Sequence, residues 1–120
     1  MPDSCYQLNA VWVFECPAQG PGLASARDAI DLIGKAAEVG ATLVVIPFER
    51  VRADFFDLRN GIAGEFLQKF VTYGTRVVIL GDTSERIAQS KSLAAFVAES
   101  NRGSQVWFVK DRDELGQRLS

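Results

Sequence analysis

Four short apolar runs, at 11–16, 42–46, 76–80 and 105–109, constrain this chain more than any other feature. Each is strand-length, and residues 43–46 (LVVI) and 77–80 (VVIL) are apolar at every position. A strand with one wet face alternates polar and apolar residues. A strand apolar throughout is buried on both faces, as in a parallel sheet covered by helices.

Between these runs the pattern changes to a helical period. Ala26, Ala29, Ile30, Ile33, Ala36 and Ala37 recur at helical spacing. Ser25 opens that segment with Asp28 in capping-box position, and Gly40 closes it. Ile62, Ala63, Phe66, Leu67 and Phe70 make a second stripe, ended by Gly74. Thr83 or Ser84 caps a short helix, and Ser90 or Ser92 a further one carrying Leu93, Phe96 and Val97 up to Gly103. Residues 111–119 form a closing helix. Upstream, 6–8 and 11–16 flank Asn9 and Ala10 as a β-hairpin. Residues 17–23, with two prolines and two glycines, read as a flexible connector, and 49–56 as a charged, irregular crossing. The order β-β-α-β-α-β-α-β-α predicts one α/β domain over 1–120, with an N-terminal hairpin and a largely parallel five-stranded sheet joined by right-handed crossovers.

Composition narrows the function classes. With 48% apolar and 23% charged residues in 120, the chain has the makings of an ordinary globular core. A net charge of −2 gives no electrostatic reason to seek nucleic acid or an anionic membrane, so neither is expected as a partner. Met1, Pro2, Asp3 and Ser4 do not begin a leader, and the apolar runs are too short to span a bilayer, which predicts a cytoplasmic protein. Cys5 and Cys16 are too few for a zinc site and read as reduced packing residues. They could meet only if the hairpin set them opposite each other. There is no histidine, which removes the commonest general base near neutral pH and every Ser-His or Cys-His mechanism. No metal, cofactor or catalytic residue is predicted.

The polar residues that invite a role cluster before the second helix: Arg50, Asp54, Asp57, Arg59, Asn60 and Glu65, with Glu49 and Arg52 among them. In open α/β sheets ligands gather outside the strands' carboxyl ends, and helix N-termini attract anions. Three readings compete: a capped and ion-paired rim, a protein-docking loop, and a small-ligand site. Asp82, at the end of the next apolar run, could face Asp57 across the sheet as a carboxylate pair or serve only as a turn cap. Gly20 to Ala24 imitates a dinucleotide loop, but a proline separates its glycines and no acidic residue ends the next strand. A phospho-receiver pattern fails because Cys16 and Pro17 stand where its acidic pair is needed. Trp12 and Trp107 lie on strands, and one on a poorly covered face would favour self-association, including a homodimer.

The stretch 54–70, DFFDLRNGIAGEFLQKF, together with DAIDL at 28–32, Gly81-Asp82, SKSL at 90–93 and ESNRG at 99–103, resembles a bacterial family known as domain of unknown function 4180. The order of elements is similar to the STAS superfamily, which includes anti-sigma-factor antagonists and sulfate-transporter tails. That resemblance implies a sequential, STAS-like sheet with helices mainly on one face and a working site where the 49–60 loop enters the second helix. Phospho-switch members carry a serine at that helix start. Here Asp57-Leu58-Arg59-Asn60-Gly61 has none, so a serine switch is not expected. The resulting expectation is a non-enzymatic regulatory module that docks a protein partner through the 49–60 loop and the helix from 60 to 73. The alternative is a small-ligand or nucleotide-binding domain, with possible hydrolytic activity, using Arg50, Asp57, Arg59 and Asp82.

Overall fold

The computed structural model describes residues 4–119, so the reading of residues 1–3 falls outside it. Among the described residues the four apolar runs and the first arm of the hairpin become five strands of one sheet, in spatial order β1-β2-β3-β4-β5. They are β1 Ser4–Leu8, β2 Val11–Glu15, β3 Leu43–Pro47, β4 Arg76–Leu80 and β5 Val106–Val109. The first two pair antiparallel, and β2 through β5 run parallel. Asn9 and Ala10 turn the hairpin with φ of 50° and 70°, the left-handed pair that a two-residue loop needs. Its register places Cys5 opposite Phe14, not Cys16. The two thiols therefore do not meet, and Cys16 is buried while Cys5 is exposed.

The helices are α1 Ala26–Glu38, α2 Ile62–Tyr73, α3 Ser84–Ala88, α4 Lys91–Arg102 and α5 Arg112–Leu119. At the start of α1 the Ser25 hydroxyl accepts the Asp28 N–H, and the Asp28 carboxylate accepts the Ser25 N–H. That reciprocal pair satisfies two donors that a helix start otherwise leaves open. The buried line of α1 runs through Ala29, Leu32 and Ala36, while Ile30 stays 42% exposed. The predicted stripe was thus set too far round the helix, since one residue turns it by about 100°.

The two faces of the sheet are covered unequally. Phe14, Val44, Ile46, Val77, Ile79 and Phe108 pack under α1, α2 and α4. Val13, Leu43, Val45, Val78, Trp107 and Val109 meet Leu115 of α5, with Tyr6, Leu8 and Leu119 at the margin. Most helical cover is therefore on one side. No described helix is long and apolar enough to cross a membrane.

Two connections differ from the sequence reading. The 49–56 crossing holds 3₁₀ turns at Phe48–Arg50 and Ala53–Phe56, and it buries Phe55 and Phe56. Ring centroids 5.2–5.5 Å apart link Phe48, Phe56, Phe55, Phe66 and Phe70 into one aromatic row. The segment is part of the core, because a tight 3₁₀ turn can send adjacent residues inward without any repeating period. The 17–23 connector is likewise pinned, not loose. Leu23 bridges to Val51, its N–H reaching the Arg50 carbonyl at 2.8 Å and its carbonyl taking the Arg52 N–H at 3.1 Å. Gly22 permits this approach: a Cβ there would stand 2.5 Å from Cγ of Arg52.

Candidate functional site

The polar residues singled out between 49 and 65 are positioned by three consecutive turns. The last, Leu58–Asn60, is a 3₁₀ turn capped by Asp57, and Gly61 at φ 77° breaks the chain direction before α2. The α-helix therefore begins at Ile62, two residues later than a start at Asn60. Asn60 joins the two pieces. Its Oδ1 accepts the Ile62 N–H at 2.9 Å, and its Nδ2 donates to the Asp54 carbonyl at 2.8 Å. It is a cap and a strut.

Arg59 stands at the apex of this turn with its side chain 91% exposed. Asp57 holds it through paired contacts, Nε to Oδ1 at 3.0 Å and Nη2 to Oδ2 at 3.2 Å. The hydrogen bond from Arg59 lowers the Asp57 pKa below the ordinary carboxylate value, and the same bond raises that of Arg59. Both groups are thus fixed as ions through the neutral range. They offer charge and hydrogen bonds, and neither exchanges a proton near pH 7.

Other residues of the set serve the fold. Arg50 donates from Nε to the Pro21 carbonyl and from Nη1 to the Pro17 carbonyl, at 2.8 and 3.0 Å, which fastens the 17–23 connector. Asp54 pairs with Arg52 at 2.5 Å. Glu65 is exposed in the first turn of α2. Asp82 caps the turn after β4, its Oδ1 accepting the Ser84 N–H at 2.9 Å, and hydrogen bonds from the Ser84 side chain and backbone, then the charge of Lys110, lower its pKa. The Asp57 carboxylate is engaged by Arg59 and that of Asp82 by Ser84, and the two line different hollows. Among the described residues, no group of three or more Cys, Asp and Glu is placed to hold a metal ion.

Beside Arg59 lies an open concavity of about 600 Å³. The turn supplies Phe56, Asp57, Leu58 and Arg59, and the opposite wall supplies Arg86, Gln89, Ser90 and Ser92. Arg86 lies 5.4 Å from the centre of the Phe56 ring and donates to the Ala53 carbonyl at 3.4 Å. Among the described residues it has no carboxylate partner. Sequence reasoning missed Arg86 and Gln89. Arg86 reaches Ala53 across 33 residues, and no local pattern signals it. The one legible signal was the Ser90 cap, whose hydroxyl accepts the Leu93 N–H and fixes where this wall begins.

A second polar group lies at the carboxyl end of β2. Glu15, nine-tenths buried, accepts the Tyr6 hydroxyl at 2.6 Å and pairs with Arg112 at the start of α5. Burial, then the hydrogen bond and charge of Glu15, push the Tyr6 pKa up to about 12. Glu15 was read only as part of a strand.

No curated protein and no solved structure matches the chain. A family model does match, over residues 8–119, which takes in every helix and all of the turn that carries Arg59. The chain accordingly belongs to the family described as Domain of unknown function (DUF4180).

Proposed function

We propose that this domain is a non-enzymatic interaction module that receives a protein segment on the concavity between the Asp57–Asn60 turn and the α3–α4 wall. The observation that carries this reading is the doubly hydrogen-bonded Asp57–Arg59 pair at its rim, with Arg86 on the facing wall. A site built for acid–base work needs a group poised near neutrality, whereas one built for recognition needs charges that stay put. The wall adds a second arginine, amide and hydroxyl groups, and the apolar surfaces of Phe56, Leu58 and Leu93. Two arginines against one carboxylate favour an incoming segment with acidic side chains beside apolar ones. The element order, hairpin first and then βα units, agrees with a STAS-like regulatory domain, in which the loop entering this helix is the working surface. Under this reading the protein works in the cytoplasm.

The test is affinity capture from source-cell lysate with wild type and Arg59→Glu as paired baits. A partner held by wild type should bind the variant about tenfold or more weakly, while the melting temperature stays nearly unchanged. Equal capture by both baits would remove Arg59 from the proposal. A second reading, a small anionic ligand on Arg59 and Arg86, is favoured by the volume of the concavity, which is in the range of small-molecule sites. A ligand that binds only the folded state must raise its melting temperature. A screen of nucleotides and acyl compounds that moves it for wild type but not for Arg86→Gln would replace the first reading with the second.

A further inference from the structure

The two edges of the sheet are finished differently. In β5 the carbonyls of Gln105 and Val109 accept the N–H groups of Val77 and Gly81, so alternate residues face β4 and Phe108 faces outward. Asn101 of α4 occupies that outer edge. Its Oδ1 accepts the Phe108 N–H at 2.8 Å, and its Nδ2 donates to the Phe108 carbonyl at 3.2 Å. One side-chain amide thus replaces the rung of a missing strand. The strand is also short and buried at all four positions.

The β1 edge has no such cover. In a hairpin with a two-residue loop, the pair flanking the loop is the hydrogen-bonded one, here Leu8 and Val11. Alternation then turns the backbone N–H and C=O of Cys5 and Gln7 outward. The hydrogen bonds seen at Ser4–Leu8 run across the hairpin, the backbone pairing with β2 and the Tyr6 hydroxyl donating to Glu15. The strand carries no charged residue, no proline and no bulge, the usual devices against edge pairing.

We infer that β1 is a self-association edge, on which a second copy of this chain adds its own β1 antiparallel to give a continuous sheet across a twofold axis. A register centred on Tyr6 sets Cys5 against Gln7 of the second copy and uses every outward backbone group of both residues. The absence of charge on the strand means that self-pairing brings no like charges together. The short β5 edge, capped at Phe108 by Asn101, opposes a growing row, so the assembly closes at two copies joined by β1.

Sedimentation in reducing buffer, where no Cys5 disulfide contributes, tests this up to about 1 mM protein, the weak end of specific association. Wild type should approach twice the 13.1 kDa chain mass as concentration rises. The double variant Cys5→Lys with Gln7→Lys changes two exposed side chains and opposes lysines across the axis, and it should weaken self-association by about tenfold or more. Mixing it with Cys5→Glu, Gln7→Glu should restore the dimer, which a merely misfolded variant would not do. A wild type that stays monomeric throughout overturns the inference and leaves the edge open to another protein's strand. A dimer that survives the lysine variant overturns it equally, since its interface must then lie elsewhere.

Discussion

The two faces of the sheet are held by different chemistry. On one, α1, α2 and α4 lay apolar stripes over the strands, and an unbroken row of five phenylalanine rings runs from the Phe48 turn to the middle of α2. On the other, one eight-residue helix must suffice, and its mid-helix contribution to the core is Leu115. Polar side chains do there what further helices would do. The guanidinium groups of Arg76 and Arg118 lie 4.6 and 4.5 Å from the Trp107 ring, and the indole N–H donates to the Gly103 carbonyl at 2.7 Å. Glu15, Tyr6 and Arg112 tie β1, β2 and the start of α5 together at the far end. A sheet face can thus be closed by amphipathic side chains when helical cover is scarce, because arginine and tyrosine offer flat apolar surface beneath a polar tip.

If the aromatic row is the stronger closure, its disruption must be the most damaging change. Phe66 is fully buried between Phe55 and Phe70, with both ring centroids 5.5 Å away. Phe66→Ala should cost about 3–5 kcal/mol in denaturant unfolding, the usual range for a buried ring whose site cannot collapse. A loss below about 1 kcal/mol would mean that the row is not a cooperative unit. On the opposite face, Leu115→Ala should cost about 2–3 kcal/mol, near the low end for buried leucines, because an eight-residue terminal helix can shift to fill the gap. Should Leu115→Ala prove the costlier of the two, the order of the faces is reversed and the single helix is the more critical cover.

These closures were not equally legible in the sequence. The strands and the α2 stripe were, since 43–46 and 77–80 are apolar throughout and Ala63, Phe66, Leu67 and Phe70 are the residues α2 buries. Periodic burial leaves a periodic trace. Phe55 and Phe56 left none, because they enter the core from a four-residue 3₁₀ turn among charged neighbours. The same limit applies to the candidate site. Asp57, Arg59 and Asn60 were found because their roles are local, a cap and a pair two residues apart. Arg50 was grouped with the candidate binding residues, and its partners, the carbonyls of Pro17 and Pro21, lie about 30 residues earlier in the chain. Arg86 was invisible for the mirror-image reason: its partner Phe56 is equally remote, and nothing near Arg86 in the chain announces the turn it faces.

The smallest effect expected is also the most diagnostic of the polar closure. Tyr6 titrates near 12 in the folded protein against an ordinary 10.0, so the native state holds its proton more tightly than the unfolded chain does. Its contribution is complete below pH 10 and should fade as the pH rises toward 12, when deprotonation places an anion beside the Glu15 carboxylate. Tyr6→Phe keeps the ring on the sheet and removes only the hydroxyl. It should cost about 1.5 kcal/mol near neutrality, the low end for a hydrogen bond to a charged acceptor, because the carboxylate keeps Arg112 as its other partner. Stability measured against pH should then fall more gently for Tyr6→Phe than for wild type across the same alkaline interval. Parallel curves would show that the alkaline loss comes from other groups, leaving Arg112 as the only tie that Glu15 needs to close that end of the sheet.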